Sequence, residues 1–215
     1  MSSPRRNRVD PWGDLHAAPE RGLFTGNRGC LMDAERRLAR HHVGDLWITC
    51  VLSLPGRVRS QPLDAPRRWT PLFFLDDAVA LAAGHRPCAY CRRDDYLAYR
   101  DALSAGLDLP KPIGAAAINR RLAPERLSPG RGLSRARDRK LWSAPADDLP
   151  DGTVIVTTGA THVLHDDAAW RFTFAGWTDP TPRDHLAPVV EVLTPPTSVI
   201  ALANGFSPTL HPTAG

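Results

Sequence analysis

Two cysteines separated by two residues, in the stretch GHRPCAYCRR at positions 84–93, constrain this chain more than any other feature. A C-x-x-C turn points both sulfurs to one side of a short loop, and its amides can donate hydrogen bonds to them. Cys88 and Cys91 could therefore bind a metal ion, run a thiol redox cycle, or pack in a core. A redox-active C-x-x-C motif opens a helix behind a buried strand and has Trp and Gly-Pro around its thiols. The motif in this chain does not show that pattern, so redox chemistry is disfavoured. Metal ligation is the interpretation that the spacing favours.

Cys30 and Cys50 are the remaining thiols that could complete a tetrahedral zinc site. The N-terminal residues are basic but have no apolar stretch behind them, so we expect no secretory signal, a cytoplasmic location and no structural disulfides. Cys50 lies in an apolar segment, where a buried cysteine is the competing interpretation, and Cys30 has surroundings that suit either a ligand or an exposed thiol. If one of them is not a ligand, His85, His41 or His42 could complete the set.

The residues around the motif predict a small α/β unit. DLWITCVLSL, at 45–54, is typical of a buried strand that ends at a Pro-Gly turn, and residues 57–63 are its predicted partner strand. Asp76 is a suitable N-cap for a helix over 77–83, and Gly84 is a natural residue to end that helix.

The rest of the chain predicts helices followed by strands. Apolar side chains at helical spacing after the C-x-x-C motif indicate an amphipathic helix that Pro110 breaks, and residues 113–127 indicate another helix. Strand-like alternation dominates from residue 151. We therefore predict an α+β fold, with a metal-stapled α/β module, a helical connector and an antiparallel β unit. The predicted divisions are an arm at 1–24, the module at 25–108, a basic helical connector at 109–150 and a β-rich region at 151–215, which could share one core with the module.

The stretch FFLDDAVALAAGHRPCAYCRR, at 73–93, resembles the zinc-binding N-terminal domain of Ada-type DNA methyl phosphotriester repair proteins. In that family a Phe-containing strand, an Ala-rich helix and a Cys-x-x-Cys-Arg turn follow one another. The resemblance covers about a tenth of the chain. It implies that Cys88 and Cys91 are zinc ligands, with Phe73, Ala78 and Ala82 packed around them.

The chain also departs from the family pattern. In the family, two earlier cysteines lie close together and one of them accepts a methyl group from the DNA backbone, whereas Cys30 and Cys50 are twenty residues apart here. A second alkyl-acceptor motif of the Pro-Cys-His-Arg kind and an evident helix-turn-helix segment are both absent from the sequence. The resemblance therefore supports a zinc module better than methyl transfer.

Charge is distributed unevenly along the chain. Residues 1–140 carry 25 basic and 15 acidic side chains, whereas residues 141–215 carry 2 and 8. A basic surface attracts the phosphate backbone of DNA or RNA, although a solvated face turned toward the acidic C-terminal part is the simpler alternative. The predicted nucleic-acid contacts are Arg86, Arg92 and Arg93 beside the metal turn, with Arg120 and Arg121 on the following helix.

These features predict a zinc-binding protein of Ada-like type, with a structural zinc ion and a basic surface that faces nucleic acid. Two alternatives stay open: a zinc-activated cysteine that accepts alkyl groups in DNA repair, with Cys50 as the acceptor, and a zinc-stapled module that binds another protein. Whether the protein is an enzyme is also open. No apolar run approaches the roughly 18 residues of a membrane span. His162 and His165 fall on opposite faces of a predicted strand, which disfavours a second metal site there.

Overall fold

The structure is a computed structural model, and it describes residues 5–35, 37–53 and 68–215. The strand predicted at 57–63 lies outside the described residues. The described part contains two six-stranded sheets and four α-helices, which confirms the α+β class.

The first sheet is mixed and carries the cysteine motif at one edge. Its strands run in the order β2-β1-β5-β3-β4-β6, and the pairs β1–β5 and β4–β6 are parallel. The strands are β1 (Arg6–Val9), β2 (Leu15–Ala17), β3 (Phe24–Asn27), β4 (Ile48–Val51), β5 (Leu72–Phe74) and β6 (Arg86–Pro87).

The second sheet is antiparallel throughout and has the order β11-β10-β9-β8-β12-β7. The edge strand at residues 142–145, which is the first strand of this sheet in chain order, lies inside the segment 109–150. That segment is therefore not only a connector, because it also supplies an edge strand to the C-terminal sheet. The strands are β7 (Trp142–Pro145), β8 (Val154–Thr157), β9 (Ala160–His165), β10 (Ala168–Thr173), β11 (Gly176–Pro182) and β12 (Val189–Val192).

The helices are α1 (Asp77–Ala82), α2 (Arg93–Gly106), α3 (Ala115–Arg126) and α4 (Pro196–Ala203). Helix α1 begins as predicted, because the Asp76 carboxylate accepts a hydrogen bond from the Val79 amide at 3.0 Å. It ends where Gly84 adopts a φ of 85°, a left-handed conformation that glycine reaches without a steric penalty. Helix α2 then starts directly after the C-x-x-C turn.

One hydrophobic core joins the two sheets. Phe74 and the alanines of α1 pack in the same buried cluster as Val154, Val163 and Trp177 of the second sheet. Trp177 also donates its indole N–H to the Asp76 carboxylate at 2.6 Å. The cysteine-bearing sheet and the C-terminal sheet are therefore parts of one packed unit.

Two local predictions are refined by the structure. The N-terminal arm, which shows little periodicity in sequence, supplies β1 and β2, because strands of three and four residues are too short to display a clear alternation. The segment 31–42, whose sequence fits both a short helix and a charged hairpin arm, pairs Met32 with Leu38 through an isolated antiparallel bridge, as in a hairpin. In the described part of the chain, no helix is long and apolar enough to cross a membrane.

Candidate metal centre

Three of the four cysteines meet at the edge of the first sheet. The Sγ atoms of Cys50, Cys88 and Cys91 all lie within 4.8 Å of one another. The parallel pairing of β4 with β6 is responsible, because it matches Ile48 with Arg86 and so brings Cys50 level with Cys88. The Cys88 amide extends this pairing by donating to the Thr49 carbonyl at 2.9 Å. Cys91 then reaches the same point through the turn that precedes α2.

The electrostatics of the cluster favour a thiolate at Cys88. The Cys50 thiol donates a hydrogen bond to Cys88, and the Cys91 and Tyr90 amides donate to the same sulfur. These bonds outweigh burial and lower the pKa of Cys88 from 9.0 to about 5. The same bond raises the pKa of Cys50, and burial raises the pKa of Cys91. A metal cation would replace the shared protons and let all three sulfurs ionise, because coordinated thiols are bound as thiolates.

The cluster supplies three sulfur ligands, and these atoms lie close enough to one another to hold a metal ion. Cys30 is not part of it: its thiol donates instead to the Met32 carbonyl at 3.7 Å. Within residues 5–35, 37–53 and 68–215, no further Cys, His, Asp or Glu has a ligand atom within 4.8 Å of all three sulfurs. The alternative ligand His85 is fully buried, with its ring against Trp47 and Phe74.

Arg92 lies inside the protein and ties the segments that carry the cysteines to each other. Its guanidinium makes two hydrogen bonds to the Asp77 carboxylate, at 2.5 and 2.8 Å, and one to the Thr49 hydroxyl at 3.0 Å. It also bonds to Asp95 at 2.8 Å and lies 3.8 Å from the centroid of the Phe24 ring. Burial tends to lower the pKa of Arg92, but the Asp77 carboxylate outweighs it, so that pKa is raised.

Arg86 is also buried, with 2% of its surface exposed. Its guanidinium donates to the Asn119 side-chain oxygen at 2.9 Å and to the Pro87 carbonyl at 2.8 Å, and it lies 5.4 Å from the centroid of the Tyr96 ring. Arg86 thus holds the strand before the C-x-x-C turn against α3. In this conformation neither Arg86 nor Arg92 presents a guanidinium to solvent, where a phosphate could reach it.

The other three predicted nucleic-acid contacts lie on the surface. Arg93 is exposed at the first residue of α2, and Arg120 and Arg121 are exposed on α3. Arg121 also donates to the Thr197 hydroxyl at 3.1 Å, which fixes its direction. Of the five arginines predicted to contact nucleic acid, these three are therefore the ones that solvent can reach.

The residues that hold Arg86 and Arg92 were missed by sequence reasoning. Asp77 and Thr49 lie 15 and 43 residues from Arg92, and Asn119 lies 33 residues from Arg86. When these distant partners are not recognised in the sequence, an arginine beside a cysteine motif is interpreted as a surface cation. A weak signal was present, because Asp77 adjoins an all-apolar helix segment in which a carboxylate needs a partner.

The histidines of the second sheet follow the pattern that their spacing predicts. His162 is buried, whereas His165 is partly exposed and lies 3.3 Å from an Asp151 carboxylate oxygen. Asp151, His165 and Asp166 lie close together, but both carboxylates are exposed and Asp151 already pairs with Arg183. This group is an ordinary surface cluster of charges.

Comparison with known proteins gives no relative from which a function could be transferred. No family model matches the chain, no curated protein matches it, and no solved structure matches its fold.

Proposed function

We propose that this protein binds zinc through Cys50, Cys88 and Cys91. The observation that carries the proposal is the convergence of three sulfurs within 4.8 Å at the edge of a sheet. Tetrahedral zinc with Zn–S bonds of about 2.3 Å requires sulfurs about 3.8 Å apart, which small side-chain rotations can reach from this arrangement. Amide N–H groups already directed at Cys88 are the kind of outer partner that stabilises a metal thiolate.

The place of the cluster in the fold supports a structural role for the ion. Zinc would join β4, through Cys50, to the turn that leads into α2, through Cys88 and Cys91. Arg92 makes the same connection by hydrogen bonds from its guanidinium to Thr49 and Asp77. A metal ion and a buried ion pair would thus hold one junction from two sides.

We further propose that the exposed arginines of this region face nucleic acid. Arg93, Arg120 and Arg121 lie on two helices, α2 and α3, whose buried faces pack in one hydrophobic cluster. A rigid pair of helices can present cations at fixed positions to a phosphate backbone. Arg86 and Arg92 would act indirectly, by fixing the start of α2 against its neighbours.

Replacing Arg93, Arg120 and Arg121 together by Gln is expected to weaken DNA binding and flatten its salt dependence. Removing one cation that neutralises a phosphate reduces the slope of log K against log salt by about 0.9, so removing three reduces it by about 2.7. Fluorescence anisotropy with a duplex at several salt concentrations measures both quantities.

The matched control changes Arg21, Arg40 and Arg171 to Gln, which removes the same charge from exposed positions outside this set. It should leave the slope within about one unit of the wild type. An unchanged slope in the first triple variant, or an equal reduction in the control, would contradict the proposed surface.

A second candidate function is alkyl transfer to a zinc-bound thiolate. The observation that favours it is the number of ligands: three cysteines in the described residues leave a coordination position open, as in catalytic zinc sites. Zinc keeps a thiolate available at neutral pH, and Cys50 is only partly buried. The Cys50 thiolate would attack a phosphotriester methyl group, so that an S–C bond forms, the O–C bond breaks and a phosphodiester anion leaves.

Incubation of the zinc-loaded protein with methylated DNA tests this second function. The expected result is one added methyl group on Cys50, located by peptide mass spectrometry, with Cys30 unmodified as the internal control. If no cysteine gains a methyl group, the acceptor function is excluded and the structural role stands alone.

A further inference from the structure

The cysteine cluster offers a metal ion three sulfur atoms and no fourth nitrogen or sulfur. All four cysteines and all eight histidines of the sequence lie in the described residues. Within those residues, no histidine and no further cysteine joins the group of ligand atoms within 4.8 Å of one another that Cys50, Cys88 and Cys91 form. A tetrahedral zinc ion on this cluster therefore lacks the fourth thiolate or imidazole of a closed structural site.

Carboxylates on the helices that flank the cysteine turn do not fill the fourth position either. Asp77, on α1, and Asp95, on α2, both accept hydrogen bonds from Arg92. Asp94 is exposed, and, like the other carboxylates of the described residues, it does not lie within 4.8 Å of all three sulfurs. Outside the described ranges the sequence contains one acidic residue, Asp64, whose oxygen ligands suit hard cations. The ligands on which a soft ion can draw are the three sulfurs.

The cluster is accessible from solvent. It lies beside β6, which is the edge strand of the first sheet. Cys50 and Cys91 are partly exposed, whereas Cys88 is 9% exposed. Two of the three sulfurs are thus within reach of an incoming ion, so one metal can replace another here without unfolding of the chain.

The number of ligands distinguishes the ions that such a cluster can hold. Zn²⁺ is borderline in softness and takes four ligands, so three sulfurs leave one of its positions to water or a substrate. Cu⁺ is a soft ion that thiolates select, and three sulfurs in a plane complete its coordination. For equal bond lengths, the corners of a planar triangle lie farther apart than those of a tetrahedron. A planar site therefore requires no closer approach of the three sulfurs than zinc does.

We propose that Cys50, Cys88 and Cys91 form a trigonal site for the cuprous ion, and that this ion displaces zinc. The inference uses the same cluster as the proposed zinc centre but does not require zinc to be bound there. The sulfurs bind copper as thiolates, the protons of the free thiols pass to solvent, and copper stays monovalent, so no electron is transferred. A filled trigonal site has no open position, so bound copper would exclude alkyl transfer while keeping β4 joined to the turn before α2.

Anaerobic titration of the metal-free full chain with cuprous ion, in competition with the chromogenic chelator bicinchoninate, tests the site. We expect about one copper ion per chain. Binding should be at least about tenfold weaker when Cys50, Cys88 or Cys91 is replaced by Ser, because each supplies a ligand. Cys30→Ser is the matched control and should bind as the wild type does, since its thiol donates to the Met32 carbonyl, outside the cluster.

X-ray absorption at the copper edge of the loaded wild type measures the number of ligands directly. The expected result is three sulfur neighbours and no nitrogen or oxygen neighbour. Because this measurement needs no substitution, it stays decisive if a cysteine variant does not fold. Two sulfur neighbours, or a nitrogen or oxygen neighbour, would overturn the trigonal site.

Addition of one equivalent of cuprous ion to the zinc-loaded chain separates this inference from the zinc proposal. Release of one equivalent of zinc, followed with a zinc-sensitive dye, is the expected result. A chain that holds zinc and keeps it overturns the copper site and leaves the zinc centre standing. A chain that holds no zinc but binds one trigonal copper ion supports the copper site and overturns the zinc centre. Equal loss of copper binding in Cys30→Ser and Cys88→Ser would also overturn the copper site.

Discussion

Replacing Arg92 by Met is expected to lower the free energy of unfolding by about 3–5 kcal/mol. Both members of the Arg92–Asp77 pair are almost fully buried, with side-chain exposures of 1% and 2%. Methionine fills a similar volume but leaves the Asp77 carboxylate in the core without its cation. It also removes the bond to Thr49, beside Cys50, so the two segments that carry the proposed metal ligands lose a direct connection. Urea denaturation at neutral pH measures the change.

The neighbouring arginine provides the control for this prediction. Arg93→Met removes the same kind of side chain from an exposed position and should change the free energy of unfolding by no more than about 0.5 kcal/mol. The double variant Arg92→Met/Asp77→Leu should recover part of the stability, because no buried charge is then left unpaired. Equal effects of Arg92→Met and Arg93→Met would contradict the bridging role of Arg92.

Replacing Cys88 by Ser is expected to remove zinc-dependent stability. Zinc that binds the folded chain and is present at a thousand times its dissociation constant adds about 4 kcal/mol. For a chain of this length, that corresponds to a melting temperature higher by about 8–16 °C. The wild type should therefore melt at a higher temperature with zinc than with a chelator, whereas Cys88→Ser should melt at the same temperature in both.

Cys30→Ser is the matched control, since its thiol lies outside the cluster and donates only to a backbone carbonyl in the described structure. It should keep the full response to zinc. A wild type whose melting temperature is the same with zinc and with the chelator would contradict a structural metal ion.

The local features of the site were predictable because their signals are local. The C-x-x-C turn, the N-cap at Asp76 and the helix end at Gly84 are each encoded within fewer than ten residues, and the structure has the helix between them. Cys50 was a candidate because it lies on a predicted strand. Its neighbour on the sheet was not predictable, since the parallel match of β4 with β6 depends on how the chain folds back over more than 30 residues.

Which arginines are buried and which are exposed could not be predicted from the sequence. Arg86, Arg92 and Arg126 are buried at 2–3% exposure, while Arg93 and Arg120 are exposed, although all of them occur in similarly basic stretches. A guanidinium becomes internal when distant groups receive its hydrogen bonds, and no periodicity reports such partners.

The most direct test of the central claim is the zinc content of the purified protein and of its four single Cys→Ser variants, measured by plasma mass spectrometry after removal of loosely bound metal. We predict about one zinc ion per chain in the wild type and in Cys30→Ser, and almost none when Cys50, Cys88 or Cys91 is replaced. A wild type without zinc, or full zinc content in any of those three variants, would contradict the assignment of the metal centre.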